Sequence, residues 1–222
     1  MLDVKTTRRY DASRRREQAA RTRQAILQTA RRQLLQDGYA ATTVARIADE
    51  AGASVETLYK AFGGKSGIVR ALWEQSLAGG GPIPAPLRSD ALSSTAADPV
   101  SVLRGWGQFT TELAPQGAPV MLLVRAAAAS DPDMAALHAE AEAQRRTRMR
   151  HNARRLRQRG WLRPGITLSQ ATDILWTYSS PELYELLVTR RGWPAEQYGR
   201  FVGQALIAAL LPPGQPEREP GH

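Results

Sequence analysis

The sequence contains no cysteine among its 222 residues. This absence excludes disulfide bonds, thiol catalysis and thiolate metal sites, and it gives no support for an oxidising compartment. No apolar run approaches the roughly 20 residues that a membrane-spanning helix needs. The first residues are polar and then rich in arginine, without the apolar core of a signal peptide. We therefore expect a cytoplasmic protein with no membrane partner.

Signatures of catalysis and of cofactor binding are also missing. The three histidines, His138, His151 and His222, lack the spacing of metal ligands and have no nucleophile nearby. The glycine run at 79–81 has neither the preceding strand nor the following lysine of a phosphate-binding loop. We therefore predict that the chain is not an enzyme and binds no metal or cofactor.

Positive charge is in excess, since 30 lysines and arginines stand against 21 acidic residues for a net charge of +9. Such a balance favours a polyanionic partner, without distinguishing DNA from RNA or a membrane surface. One basic cluster covers 5–23, and a second runs from Arg145 to Arg159 without an acidic residue. For the second cluster, three interpretations stay open: a solvated helix face, a site for an anionic effector, or an electrostatic aid to DNA approach.

Apolar residues recur at three- and four-residue steps along the chain, and no segment has the period of a strand. This pattern predicts an all-α protein. Composition divides it into a disordered basic arm (1–16), a first helical domain (17–78), a linker (79–97), a C-terminal helical domain (98–211) and a disordered tail (212–222). Two interpretations of the arm stay open: it contacts DNA phosphates or the minor groove, or it only increases solubility.

Three residues have the spacing of a helix-turn-helix motif. Ala48 is small enough for two short helices to cross closely, and Gly52 tolerates the positive φ of a sharp turn. Leu58 is an apolar anchor inside the second helix. Two ordinary amphipathic helices joined by a glycine would show the same spacing, so the motif also depends on what faces outward.

The second helix of this motif has a polar outer face. At ~100° per residue from an inward-pointing Leu58, Glu56 and Lys60 face outward, and Thr57 and Tyr59 flank them. Hydroxyl groups and a cation can donate to the phosphate oxygens and base edges of DNA. The pattern therefore favours a DNA-binding face.

Three short runs follow one another closely and are followed by Lys65: GYAATTV (38–44), IADEAGAS (47–54) and TLYKAF (57–62). The spacing and order of these runs resemble the DNA-binding domain of TetR/AcrR transcriptional regulators, and the resemblance covers about 20–78. The resemblance implies a three-helix DNA-binding head whose recognition helix runs from Ser54 to about Phe62. With the facing argument above, the expected DNA-binding residues are Thr43, Arg46, Ser54, Val55, Glu56, Thr57, Tyr59, Lys60 and Lys65.

Two positions depart from the family pattern. The family often has a basic residue where Ala45 stands, and Arg46 is the neighbouring cation. Glu56 occupies a position where the family usually has a small residue. Its carboxylate could accept from cytosine N4 or pair with Lys60 one turn further on, and both interpretations stay open.

The resemblance also implies a C-terminal helical domain that binds an effector and forms a homodimer. The chain would then be a ligand-responsive repressor of a palindromic DNA operator. Candidate effector-pocket residues are Trp106, Phe109, Met121, Leu122, Trp176 and Tyr178. Candidate dimer-interface residues are Leu183, Leu187, Phe201 and Leu206. Ordinary core packing is the alternative for both sets.

Two other functions compete with a ligand-responsive repressor. The first is a helical protein that binds nucleic acid without sequence preference through its arginines. The second is a regulator that binds DNA but no ligand, and uses its C-terminal half only to dimerise.

Overall fold

A computed structural model describes the backbone of residues 4–213, and the side chains of Arg14 and of residues 16–213. Within these residues the chain is helical and contains no strand, which confirms the all-α prediction. The helices are α1 (Val4–Ala41), α2 (Val44–Glu50), α3 (Val55–Phe62), α4 (Lys65–Ala78), α5 (Ala85–Thr95), α6 (Pro99–Ala127), α7 (Pro132–Gln158), α8 (Leu168–Tyr178), α9 (Pro181–Tyr184) and α10 (Ala195–Leu210). A π-helical turn, Glu185–Arg190, continues α9. None of the described helices has both the length and the apolar character needed to cross a membrane.

The first helix is longer than expected, because α1 begins at Val4, inside the segment that was predicted to be disordered. Arginine, alanine, glutamine and glutamate make up all but one of residues 14–24, and each is a strong helix former. The segment therefore extends the helix without an apolar stripe of its own. At Gly38 the backbone takes a φ of 83°, and this kink lies where a stop was predicted. Most of the predicted tail, from residue 214 onward, lies outside the described residues.

A further helix, α5, lies inside the predicted linker at 79–97. The proline-rich composition misled the prediction, since Pro86 stands in the first turn of α5, where a missing N–H costs nothing. The segment is ordered by contacts with α7 that are distant in sequence.

Arginines of the second basic cluster hold α5 in place. Arg148 Nη1 and Nη2 donate to Asp90 Oδ2 and Oδ1 at 3.2 and 2.8 Å. Arg159 Nη1 and Nη2 donate to the carbonyls of Ser93 and Ala96, both at 3.1 Å, at the C-terminal end of α5. For these arginines a purely solvated face is therefore the wrong interpretation.

The helices form two hydrophobic cores, and the division between them does not fall at the linker. The first core joins α1–α4 to the C-terminal part of α6, including Val120 and Val124, and to the N-terminal part of α7, including Met134. The second core joins the N-terminal part of α6 and the C-terminal part of α7, including Leu156, to α8–α10. Each of these long helices therefore packs into both cores.

Two prolines, Pro115 and Pro119, lie inside α6 near the boundary between the cores. Pro119 has no N–H to donate to the carbonyl of Pro115, so that acceptor loses its partner within the helix. Arg31 of α1 replaces the missing donor: its Nη2 lies 3.2 Å from the Pro115 oxygen, and its Nη1 lies 2.9 Å from the Gln116 oxygen. This contact attaches α1 to α6 at the point where the backbone hydrogen bonds of α6 are interrupted.

In the second core α6 crosses α10 closely at three glycines. A Cβ atom on Gly107 would lie 2.4 Å from the carbonyl oxygen of Gly199 and 2.8 Å from the backbone nitrogen of Gly203. Both neighbours are backbone atoms, which cannot move aside as a flexible side chain would. The absence of a side chain at Gly107 therefore permits this crossing.

We predict that Gly107→Ala lowers the free energy of unfolding by about 1–3 kcal/mol, because the added methyl group forces α6 and α10 apart. Urea unfolding of the full chain measures the change. Gly80→Ala is the matched control, since a Cβ atom there meets nothing within 4 Å. Equal stability of the two variants would contradict the close crossing.

The docking of α5 depends on two carboxylates. Burial raises the pKa of the Asp90 carboxyl, but Arg148 and His151 more than offset this effect, and the net shift is downward. Hydrogen bonds from Arg88 of α5 lower the pKa of Glu112 on α6. Because both pKa values lie below those of the unfolded chain, the carboxylates stabilise docked α5 at neutral pH. They lose this contribution as the pH falls through the folded-state values.

We therefore predict that the amides of α5 lose protection from hydrogen exchange when the pH falls below the ordinary carboxyl values of 3.8 and 4.5. Asp90→Asn should reduce that protection about tenfold already at pH 6, because one charge-assisted contact with Arg148 is lost. Exchange rates corrected for intrinsic pH dependence provide the measurement, and Glu74→Gln on the exposed side of α4 is the control. Unchanged α5 protection in Asp90→Asn would refute the role of this carboxylate.

Candidate DNA-binding site

The turn between α2 and α3 has the geometry that the spacing of Ala48 and Gly52 predicts. Gly52 takes a φ of 64°, in the left-handed region. Its N–H donates to Asp49 O at 3.1 Å, and the N–H of Ala53 donates back to Ala48 O at 2.9 Å. This pair of bonds is a Schellman motif, which satisfies the free carbonyls at the end of α2 and turns the chain sharply.

Local capping contacts then set the bounds of α3. Ser54 Oγ accepts from the backbone N–H of Thr57 at 3.0 Å and so caps the N-terminus. Gly63, with a φ of 77°, ends the helix and donates to Tyr59 O at 2.7 Å. Leu58 is 0% exposed and anchors α3 in the first core. The predicted recognition helix, Ser54 to about Phe62, is therefore a capped helix with a fixed inner face.

The outer face of α3 is open to solvent. Tyr59 is 53% exposed and Val55 is 42% exposed. Glu56, Thr57 and Lys60 are exposed as well, and so are the cap residues Ser54 of α3 and Thr43 of α2. Hydroxyls, one ammonium group and one carboxylate thus project from a single helix. Among the described residues Glu56 and Lys60 form no ion pair with each other, so both side chains are open to solvent.

Two of the expected DNA-binding cations already have partners within the chain. Lys65 Nζ donates to the carbonyls of Tyr39 and Thr42, at 2.7 and 3.0 Å, and lies 4.0 Å from the Tyr39 ring centroid. Arg46 Nη1 lies 2.7 Å from Asp37 Oδ2 on α1. Lys65 thus supports the turn between α1 and α2, while Arg46 lies on the exposed surface beside α3.

Sequence reasoning missed Arg23, which braces α3 from α1. Its Nη1 donates to Ala61 O at 3.1 Å, and its guanidinium lies 4.3 Å from the ring centroid of Phe62. Arg23 is one of several arginines in the basic N-terminal cluster, and no pattern distinguishes it from its neighbours. Only the tertiary contact shows that it fixes the C-terminal end of α3.

A polar contact links this head to the α6–α7 turn. Tyr39 Oη donates to Asp131 Oδ2 at 2.9 Å, and Asp131 also caps α7 through the N–H of Met134 at 3.1 Å. The hydrogen bonds from Met134 and Tyr39 lower the pKa of the Asp131 carboxyl. The start of α7 is therefore attached to the head by a charged acceptor.

The candidate effector-pocket residues do not come together in one cavity. Trp106, Phe109 and Tyr178 belong to the second core, whereas Met121 belongs to the first, so the predicted grouping is wrong. Trp176 packs against Arg145 of α7, and Leu122 is half-buried on α6. Two open crevices lie elsewhere, one before α8 and one along the outer side of α7. No group of three acidic or histidine side chains in the described part of the chain could hold a metal ion.

The candidate dimer-interface residues divide into two kinds. Leu183, Leu187 and Phe201 are half-buried and retain some free surface. Leu206 is 3% exposed and lies inside the chain's own second core, so its assignment to an interface is wrong. Leu186, which the pattern did not single out, is 51% exposed on the π-helical turn.

Comparison with known proteins agrees with this geometry. Residues 26–72 match the family model described as bacterial regulatory proteins of the tetR family. No curated protein matches the chain significantly.

Solved structures of similar fold cover most of the chain. NalD, the secondary repressor of the MexAB-OprM multidrug efflux pump in Pseudomonas aeruginosa, is 17% identical with a TM-score of 0.67, over 89% of this chain and 100% of NalD. The SmeT–triclosan complex is 20% identical with a TM-score of 0.65, over 87% and 93% of the two chains. A Saccharomonospora viridis protein in complex with choline is 20% identical with a TM-score of 0.62, over 86% and 97%.

The segment that matches the family contains α2 and α3 with the adjoining parts of α1 and α4. The solved neighbours extend the likeness in fold to the C-terminal helices. Residues 26–72 therefore match the tetR-family model, and the chain shares its overall fold with solved proteins described as TetR-family transcriptional regulators.

Proposed function

We propose that this chain is a ligand-responsive repressor that binds a palindromic DNA operator as a homodimer. The orientation of α3 is the observation that supports DNA binding. Thr57, Tyr59 and Lys60 are exposed on its outer face, while Leu58 is fully buried on its inner face. A capped helix of this size fits the major groove of B-form DNA.

The chemistry of the outer face suits a mixture of backbone and base contacts. The hydroxyls of Thr43, Thr57 and Tyr59 and the ammonium group of Lys60 can donate to phosphate oxygens. Glu56, in the first turn of α3, can accept from cytosine N4 on a base edge. The net charge of +9 further favours approach to a polyanion.

Four further residues complete the proposed interface. Ser54 and Val55 lie at the N-terminal end of α3, where the helix would approach the bases. Arg46 is exposed and can reach a phosphate while its guanidinium stays near Asp37. Lys65 would contribute to DNA binding chiefly through the turn that it supports, since two backbone carbonyls already engage its ammonium group.

Dimerisation would place two copies of α3 on one face of the duplex. A two-fold axis sets recognition helices about 34 Å apart, one turn of DNA, and so requires a palindromic site. The apolar surface of Leu183, Leu186, Leu187 and Phe201 is suited to pack against its own copy. Leu183, Leu187 and Phe201 pack against the second core, whereas α3 packs into the first.

Effector binding in the second core could reach the heads through α6 and α7. Both helices also pack into the first core, and Arg31 and the Tyr39–Asp131 bond attach them to α1. A ligand that favours a different position of these helices lowers DNA affinity by its differential affinity for the two states. Solved neighbours in complex with triclosan and with choline support a small-molecule effector, and the repressor NalD supports repression.

We predict that Lys60→Ala weakens binding to a duplex selected from random sequences by about tenfold, because a phosphate contact is lost in each protomer. The slope of log affinity against log salt should fall by about one unit per contact. Fluorescence anisotropy at several salt concentrations measures both quantities. Arg154→Ala, an exposed arginine of α7, serves as the control.

The same assay distinguishes a sequence-specific regulator from a protein that binds nucleic acid through its arginines without sequence preference. A regulator keeps its selected duplex when unrelated DNA is added, whereas a nonspecific binder loses it to any competitor. Failure to enrich any sequence, or equal affinities of Lys60→Ala and the unmodified chain, would refute the proposed mode of binding.

We also predict that Leu186→Glu dissociates the homodimer, because each carboxylate would be placed without a partner in an apolar two-fold contact. The dissociation constant should rise about a hundredfold or more, and the mass in sedimentation equilibrium should fall from twice the chain mass to 24.3 kDa. Leu87→Glu on α5 is the control, since Leu87 is 58% exposed and lies outside the proposed interface. A dimeric Leu186→Glu variant would place the interface elsewhere.

A further inference from the structure

The eight arginines of the second basic cluster divide into two sets of four by the side of α7 on which they lie. The first set donates hydrogen bonds to α5, to α8 or to its own helix: Arg145, Arg148, Arg155 and Arg159. The second set is exposed to solvent: Arg146, Arg150, Arg154 and Arg157. Packing of α5 and α8 on α7 therefore accounts for only the first set.

The exposed arginines form one straight stripe along the helix. They follow one another at steps of four, four and three residues, so at ~100° per residue they lie within about 40° of a single line. At a rise of ~1.5 Å per residue, the stripe from Arg146 to Arg157 is about 17 Å long. We name these four arginines the α7 stripe.

The chain neutralises little of the α7 stripe. Arg146 Nη2 lies 3.6 Å from Asp173 Oδ1 on α8. Arg150, Arg154 and Arg157 have neither an ion pair nor a hydrogen-bond partner among the described residues. Since like charges one helical turn apart repel, the stripe is unfavourable for the helix on its own. The helix dipole favours cations only in the last turn, which accounts for Arg157 but not for the other members.

Apolar side chains do not contribute to this surface. The exposed large apolar side chains of the described chain all lie outside α7. Protein interfaces depend on aromatic or apolar anchors, and a helix that lies in a membrane surface inserts an apolar face. The α7 stripe offers neither feature, so it suits a partner that is recognised through negative charge alone.

The phosphate backbone of duplex DNA has the charge density that this stripe requires. Each strand carries one phosphate per ~3.4 Å of helix axis, so about five phosphates lie along 17 Å of one strand. A guanidinium group binds two phosphate oxygens at once through its planar fork of donors. Four arginines can therefore engage successive phosphates of one strand.

We propose that the α7 stripe is a second DNA-binding surface, which binds the phosphates of a duplex segment other than the one at α3. The stripe lies on the part of α7 that packs into the second core, whereas α3 packs into the first. One protein thus holds two segments of DNA, the second without sequence preference. Binding at either surface raises the local concentration of flanking DNA at the other. The word second rests on the proposed function of α3, whereas the charge argument does not.

The stripe variant combines Arg150→Gln, Arg154→Gln and Arg157→Gln in the full chain. One equivalent of selected duplex occupies α3, and anisotropy of a labelled duplex of unrelated sequence reports the second surface. We expect binding of the unrelated duplex to weaken about tenfold or more near 50 mM salt. The slope of log affinity against log salt should fall by about 2.7, because each lost phosphate contact removes about 0.9. Affinity for a short selected duplex alone should stay unchanged, because α3 binds it.

Two controls separate a specific stripe from a general loss of charge. A variant with lysine at the same three positions keeps the charge and should keep the salt slope. The charge-matched control replaces three exposed arginines outside α7: Arg163→Gln, Arg191→Gln and Arg200→Gln. Circular dichroism verifies that all variants fold.

Three results overturn the proposal. The first is an unchanged salt slope in the stripe variant. The second is an equal loss of binding in the charge-matched control. In the third, the stripe variant loses binding to vesicles that contain phosphatidylserine but keeps its binding to the unrelated duplex, which would assign the stripe to a membrane surface.

Selection of a duplex from random sequences keeps this proposal apart from the proposed function. If a duplex is enriched and the stripe variant binds unrelated DNA as the unmodified chain does, the stripe is refuted and the repressor stands. If no duplex is enriched, the unrelated duplex is titrated alone. A loss confined to the stripe variant then refutes the repressor and leaves the stripe as a DNA-binding surface.

Discussion

Hydrophobic packing on both ends of α6 and α7 is the constraint on which the other features depend. The C-terminal part of α6 and the N-terminal part of α7 bury Val120, Val124 and Met134 against α1–α4. The opposite ends of the same helices pack with α8–α10. Because close-packed cores transmit displacement instead of absorbing it, we expect a shift of the C-terminal helices to be felt at α3.

Polar contacts strengthen this connection where helical hydrogen bonding is interrupted or begins. Pro119 leaves the Pro115 carbonyl without its usual donor, and Arg31 of α1 supplies one. Asp131 caps α7 and also accepts from Tyr39. Both contacts use backbone or capping groups that would otherwise lack a partner. Breaking either contact would therefore leave a polar group unpaired, which is unfavourable in free energy.

Local sequence predicted the helix-turn-helix geometry well. The Ala48–Gly52–Leu58 spacing, the Ser54 cap and the glycine after Phe62 determine a turn and a short helix through bonds that span six residues or fewer. Such contacts can be inferred from spacing alone. The arm and the linker were predicted less well, because arginine- and proline-rich composition does not show that α1 extends to Val4 or that α7 orders α5.

By itself, the sequence determined the helical class, the turn, the caps and the side chains on each face of α3, because these follow from helical periodicity and short-range hydrogen bonds. Only the tertiary structure decided which arginines have partners within the chain: Arg23 braces α3, Arg148 holds Asp90, and Arg145 packs against Trp176. It also placed Met121 in the first core and Trp106, Phe109 and Tyr178 in the second. A long cation reaches partners up to 85 residues away in the chain, as Arg31 does, and no local pattern encodes such a contact.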